Sequence, residues 1–254
     1  MPDQPFDIAA FRAALDPEQI VLLNGAQPRG RLPQLSEAQL DLFARHAALV
    51  IEANRRFNLT AITDPVEMAR KHYLDSLTCC LAVDFTALTT VCDIGTGAGY
   101  PAVPLAIAFP QVQFTLVESN NKKAQFLSES TAQLSLTNCQ VMTARAEDLG
   151  QGPLRETFDL ALARAVAILP ALAEYCLPLV RVGGHFLAMR GQKADEELAL
   201  VEHAFVLLGA EEPQTINVAI PEVGDRTLIL VAKSSPTRPK YPRRAGMPTK
   251  RPLT

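Results

Sequence analysis

Residues 91–100 read V-C-D-I-G-T-G-A-G-Y, a short apolar run that closes on Asp93 and then breaks into alternating glycines. Such a run marks a buried parallel strand that passes through a tight loop into a helix. Gly95, Gly97 and Gly99 carry no Cβ, so the backbone there can turn sharply and lie flat against a ligand. The dinucleotide fingerprint G-x-G-x-x-G would need its third glycine at position 100, where this chain has Tyr100. Downstream, the F-T-L-V run of residues 114–117 is closed by Glu118, one helix's length beyond the loop. An acid at the end of this second strand accepts hydrogen bonds from ribose hydroxyls in nucleotide-binding folds.

The chain on either side fits that reading. Strand candidates fall at 90–94, 114–118, 140–143, 158–163, 185–189, 215–219 and 227–232, with helices near 101–109, 121–135, 168–181 and 193–208. This alternation implies a doubly wound, mostly parallel sheet. Only residues 221–226 separate the last two strands, which predicts an antiparallel hairpin at the sheet edge. Before the loop, residues 1–35 hold two short helical stretches, 8–15 and 17–23. Ser36 and Gln39 then form a capping box for a helix whose apolar face is Leu40, Phe43, Ala47, Val50 and Ile51. A second helix is expected over 65–81, with Pro65 in its first turn. Three segments follow: an N-terminal helical extension and cap (1–84), a ligand-binding domain (85–233) and a basic Pro-rich tail (234–254).

The G-x-G-x-G spacing after Asp93 resembles motif I of the Rossmann-like methyltransferases, which hold S-adenosylmethionine at this loop. The resemblance implies an α/β fold of that class, a seven-stranded doubly wound sheet under an N-terminal helical cap.

Bulk composition sets bounds. The 254 residues suit one sizeable domain with an appendage, and 48% hydrophobic with 20% charged residues is a soluble globular balance. No leader-like N-terminus and no apolar run of about 20 residues occurs, so no membrane partner is expected. Cys79, Cys80, Cys92, Cys139 and Cys176 show no C-x-x-C spacing, which reads as a reducing cytoplasm without structural zinc or other metal. The net charge of −3 hides a segregation: residues 233–254 hold seven Lys or Arg and no acid, leaving −10 before them. An acidic body with a basic tail suggests a polyanionic partner.

Some acceptor chemistries are disfavoured. Amino methylation of adenine usually goes with an [Asn/Asp/Ser]-Pro-Pro-aromatic loop after the fourth strand, where this chain has Arg164-Ala165-Val166-Ala167. Pyrimidine C5 methylation usually uses a Pro-Cys pair, and the chain has none. No His–acid pair stands out among His46, His72, His185 and His203. An acceptor that is already a good nucleophile remains.

Five motifs then occur in order: N-L-T-A-I-T-D (58–64), K-H-Y-L-D-S (71–76), D-I-G-T-G-A-G-Y-P (93–101), L-A-R-A-V (162–166) and Y-P-R-R-A-G-M-P-T-K-R-P-L (241–253). Together they resemble the bacterial glucose-inhibited division protein B family, small-subunit ribosomal RNA guanine-N7 methyltransferases, from about residue 36 onward. The resemblance implies S-adenosylmethionine as cofactor and small-subunit ribosomal RNA, or the subunit, as partner. It places Gly95, Gly97 and Tyr100 along the cofactor, Glu118, Ser119 and Asn120 on the adenosine, and Ala146 and Glu147 beside the adenine. Arg164 belongs by resemblance to the cofactor and catalytic set. Tyr100 and Ala102 depart from the family's usual Phe or Leu and Gly.

Guanine N7 bears a lone pair and no proton, so the expected mechanism needs no general base. Lys71 and His72 on the cap, Lys122 and Lys123 after Glu118, and Arg243 and Arg244 in the tail are candidate RNA contacts. Deleting 236–254 is expected to weaken RNA binding and spare cofactor affinity, unless Tyr241, Pro242 and Pro248 pin the tail to the domain as structure. A monomer is the expected state. The competing readings are a small-molecule methyltransferase, which the basic tail disfavours, and a non-catalytic assembly factor, which would tolerate damage at Gly95, Gly97, Glu118 or Arg164.

Overall fold

A computed structural model describes residues 6–191 and 194–253. Eight strands form one sheet in the order β1-β7-β8-β6-β5-β2-β3-β4. They are β1 Val21–Leu22, β2 Thr90–Ile94, β3 Gln113–Glu118, β4 Cys139–Thr143, β5 Phe158–Arg164, β6 Val180–Arg190, β7 Gln214–Ile220 and β8 Gly224–Ala232. The stretch from β4 through β3, β2 and β5 to β6 is parallel, and β8, β7 and β1 add antiparallel pairs.

Strand alternation builds two cores. Val91, Leu116, Leu160, Leu162 and Leu187 point to one face, where helices Glu37–Asn54, Ala102–Ala108 and Asn121–Gln133 cover them. Cys92, Ile94, Ala161, Ala163, Phe186 and Ala188 point to the other, under helices Leu169–Cys176 and Glu202–Leu208. Central strands covered on both faces read as unbroken apolar runs, as L-A-L-A does in β5. The capping box of Ser36 and Gln39 forms as expected. Residues 65–82 follow one helical path through Pro65–Met68, a wide π-helical turn at Ala69–Leu74, Asp75–Leu77 and Cys79–Ala82.

The sheet has one strand more than expected. Residues 17–23 make a single turn, Pro17–Gln19, and then β1, whose Val21 and Leu22 pair with Ala219 and Val218. An apolar I-V-L-L run gains more by completing the open edge of β7 than by continuing a helix. The helix expected over 168–181 stops at Cys176 and β6 begins at Val180, five residues early. Pro178 cannot continue the helix, and Gly184 lets the strand pass where a Cβ would sit 2.6 Å from Asp159 O. Of the helix expected over 193–208, residue 193 lies outside the described residues, and the rest splits into Ala194–Leu198 and Glu202–Leu208. The β7–β8 hairpin forms, with β1 beyond it. Among the described residues no helix is long and apolar enough to cross a membrane, and no three His, Cys, Asp or Glu gather as a metal site.

Candidate active site

β2 has β3 on one side and β5 on the other, so chain connections leave it in opposite directions and open a crevice at the carboxyl ends of these strands. Gly95 and Gly97 hold φ of +71° and +62°, a region that strains other residues. A Cβ on Gly95 would lie 2.6 Å from the Val166 side chain, whereas one on Gly97 would meet only Gly95 O at 3.9 Å, leaving an open cradle. The buried Glu118 carboxylate sets the loop: Oε2 accepts from Gly97 N at 3.1 Å and Oε1 from Asn120 N at 2.8 Å. Each oxygen keeps a lone pair for a ligand hydroxyl. Asn120 Oδ1 caps helix Asn121–Gln133, accepting from Lys122 N and Lys123 N at 3.0 and 3.2 Å. Asp93 accepts from Ala102 N at 3.2 Å, and burial pushes its carboxyl up to about 7.

Two cavities open here. The smaller, about 180 Å³, has an apolar side of Ile94, Val117 and Val166 and polar donors and acceptors from Ser119 and Glu147. Glu147 Oε1 accepts from Gly246 N at 2.8 Å. The larger, about 570 Å³, is lined by Lys71, His72, Asp75, Arg164, Arg190, Glu197 and Arg226 among others. Its centre is a buried carboxylate held in a fork: Asp75 Oδ2 accepts from Arg164 Nη1 at 2.9 Å, and Oδ1 from Arg226 Nε at 2.8 Å. On its far side Arg190 pairs with Glu197 at 2.8 Å, and Glu197 Oε2 also accepts from Leu169 N at 2.7 Å. The end of β5 divides the two. Arg164 and Ala165 line the larger cavity and Val166 the smaller, with Ala165 strained at φ +56°.

His72 and His46 are held in surroundings that favour the neutral ring. His72 stacks on Tyr100 with ring centroids 4.4 Å apart, and its Nε2 lies 2.9 Å from Thr60 Oγ1. Burial, reinforced by the Arg164 cation, pushes it down to about 4. With Arg164 Nη2 facing Nδ1 at 3.4 Å, the proton belongs on Nε2, donated to Thr60. Behind Tyr100, His46 Nδ1 lies 2.8 Å from Tyr73 Oη, and burial lowers it to about 3.

Among the residues singled out from the sequence, Gly95, Ser119, Ala146 and Glu147 line the smaller cavity, with Gly97 and Glu118 bonded beneath it. Arg164, Lys71 and His72 line the larger. Tyr100 is buried under His72, with the Arg164 Cζ 5.3 Å from its ring. Lys122 borders a separate groove with Arg56 and Phe57. Arg244 is exposed, while Arg243 pairs with the fully buried Glu174 at 2.6 Å. Sequence reasoning missed Asp75, Arg226, Arg190, Glu197, Tyr175 and Thr249. Asp75 and Thr249 left a signal, as letters of the K-H-Y-L-D-S and Y-P-R-R-A-G-M-P-T-K-R-P-L motifs.

The family described as rRNA small subunit methyltransferase G (GidB) matches residues 39–228. The chain is 48% identical over 232 residues to ribosomal RNA small subunit methyltransferase G of Pelotomaculum thermopropionicum, covering 91% of this chain and 96% of that protein. It is 44% identical over 222 residues to the protein of the same name from an Exiguobacterium species, covering 87% and 93%. A solved structure of a putative O-methyltransferase from Klebsiella pneumoniae is similar in fold, with TM-score 0.51 and 18% identity over 75% of this chain and 90% of that one.

Proposed function

The chain belongs to the rRNA small subunit methyltransferase G family, and on that footing we propose that its two adjoining cavities divide one methyl transfer between them. The reaction is S-adenosylmethionine-dependent methylation of guanine N7 in small-subunit ribosomal RNA. The smaller cavity takes the adenosine end of the cofactor and the larger takes the guanine. One observation carries this division: residues 164–166 at the end of β5 face both cavities, at the switch point of the sheet.

The donor set fits the cofactor. Gly97 leaves a cradle that a Cβ would fill, Glu118 keeps a lone pair on each oxygen for ribose hydroxyls, and Ser119 and Glu147 offer polar atoms to an adenine. When bound, S-adenosylmethionine supplies a methyl group on a positively charged sulfur. The residues of the two cavities would hold N7, with its free lone pair, in line with that methyl group. No proton leaves N7, so the neutral His72 and His46 have no base to provide. The work of the larger cavity is alignment and exclusion of water. Guanine presents O6 beside N7, and arginine is the natural donor to that edge. Asp75 holds Arg164 and Arg226 in place for O6 while tempering their charge as the purine turns positive. Lys122, Lys123 and Arg244 serve the RNA phosphates, with Lys71, whose pair with the exposed Glu67 is weak in water; the uncharged His72 and Arg243, held by the buried Glu174, do not. Both cavities lie within one copy of the chain.

The test is incubation with methyl-labelled S-adenosylmethionine and small ribosomal subunits, followed by mapping of the labelled nucleotide. Label on one guanine N7, lost in Arg164→Ala, is expected. Cofactor binding with no label on subunits or on their stripped RNA would overturn the assignment.

A further inference from the structure

The C-terminal segment does not hang free. Lys233 Nζ, fully buried, donates to Glu156 Oε1 at 2.8 Å and Leu177 O at 2.7 Å. Arg155 then clasps the chain, donating to Thr237 O at 2.6 Å and Tyr241 O at 2.7 Å. Gln151 Nε2 donates to Pro242 O at 2.8 Å. Pro242 packs so closely that a Cβ on Gly150 would lie 2.8 Å from its ring.

Beyond Pro242 the segment turns over the smaller cavity. Glu174, on helix Leu169–Cys176, is fully buried and accepts from Arg243 N at 2.7 Å, Nε at 2.9 Å and Nη2 at 2.6 Å. Arg243 Nη2 also donates to Arg251 O at 2.7 Å, which closes the last turn on itself. Inside that turn Gly246 N reaches Glu147, and Thr249 Oγ1 shares a hydrogen bond of 2.5 Å with Tyr175 Oη. Tyr175 and Thr249 both line the cavity. Lifting the segment would strand the Glu174 carboxylate without its cation in the core, a costly state that keeps the segment down.

We propose that residues 241–253 form one wall of the cofactor cavity and that the Glu174–Arg243 pair positions that wall. The expectation that residues 236–254 can be removed without touching the cofactor therefore gives way. The outer side of the same segment exposes Arg244 and Lys250, so the wall can meet phosphates without leaving the cavity. This inference rests on reading the smaller cavity as the cofactor site, and the variants separate the two claims.

The measurement is S-adenosylmethionine affinity by calorimetry, with KM and kcat at saturating RNA, on the full chain, a chain ending at residue 245, Thr249→Trp, Glu174→Gln and Glu118→Ala. Melting curves report whether each folds. Glu118 touches no residue of the segment, so its variant reports on the cavity alone. The shortened chain and Thr249→Trp should each weaken cofactor binding at least about tenfold, through KM more than kcat. Glu174→Gln should do the same more mildly. Thr249 is exposed, so its replacement keeps the test valid if the shortened chain fails to fold. Unchanged affinity in Thr249→Trp with weakened binding in Glu118→Ala would overturn the wall. Unchanged affinity in both would overturn the cavity assignment beneath it.

Discussion

The smaller cavity is made of strand ends and backbone, with few charges; the larger is made of charged side chains, four cations around the carboxylates of Asp75 and Glu197. In the first, Gly97 N, Glu118, Ser119 and Glu147 each sit within a few residues of the end of a parallel strand. In the second, Asp75 and Arg226 lie 151 positions apart and meet only through the fold. On the proposed division of the two cavities, the difference teaches how each reactant is handled. A cofactor of fixed shape can be held by local turns that the strand order lines up. A base arriving on RNA needs cations aimed before it comes, and a buried carboxylate between two arginines aims them.

Removing that carboxylate should therefore give the largest effect. Asp75→Ala leaves Arg164 and Arg226 unpaired, and breaking such a buried cluster costs about 3–5 kcal/mol. Misplacing the arginines should slow single-turnover transfer about a hundredfold at saturating cofactor. A rate within about tenfold of wild type would mean that the fork positions nothing.

On the other side of the β5 end, Gly95→Ala tests the local design. A left-handed φ costs a residue with a Cβ about 1–2 kcal/mol, to which the Val166 contact adds. Urea unfolding should show this loss, and adding Val166→Ala should recover only the contact share. Full recovery would mean that the backbone conformation is not the constraint.

His72, on the wall of the larger cavity, and His46 behind Tyr100 make a pH prediction. Their folded values, about 3 for His46 and about 4 for His72, lie below the ordinary 6.5. A lowered folded value stabilises the fold above pH 6.5, and that contribution is lost as pH falls towards the folded values. Each histidine adds a slope of about 1.4 kcal/mol per pH unit over that window. Unfolding free energy measured between pH 6 and 4 should fall less steeply in His46→Gln, by about one proton; an unchanged slope would place His46 in contact with water.

The smallest effect belongs to the exposed rim. Arg244→Ala should weaken RNA binding a few-fold at low salt and reduce the salt slope by about one, without changing cofactor affinity. A loss of cofactor affinity would make Arg244 part of the wall itself.

The contrast between cavities also sets what a linear reading can reach. Ala146 and Glu147 came only from the family resemblance, whereas the glycine loop and Glu118 were legible because each belongs to one strand and the turn that follows it. Parallel topology alone then brings them to one edge. Asp75 was visible only as a letter in a motif, because its partners come from β5 and from the start of β8. Glu174 carries no mark in the sequence and Arg243 reads there, with Arg244, as an RNA contact; neither shows its burial in composition. β1 was missed for a related reason, since an apolar four-residue run fits either a helix turn or an edge strand until the neighbouring edge is known.

The most direct test of the two-cavity account measures cofactor dissociation and single-turnover methyl transfer on Glu118→Ala and Asp75→Asn side by side. Glu118→Ala should raise the S-adenosylmethionine Kd at least about tenfold, as expected for losing hydrogen bonds to a charged group. Asp75→Asn should leave that Kd within about twofold and slow transfer at saturating cofactor. If both variants weaken cofactor binding alike, or if Asp75→Asn transfers at the wild-type rate, the two reactants are not divided between these cavities.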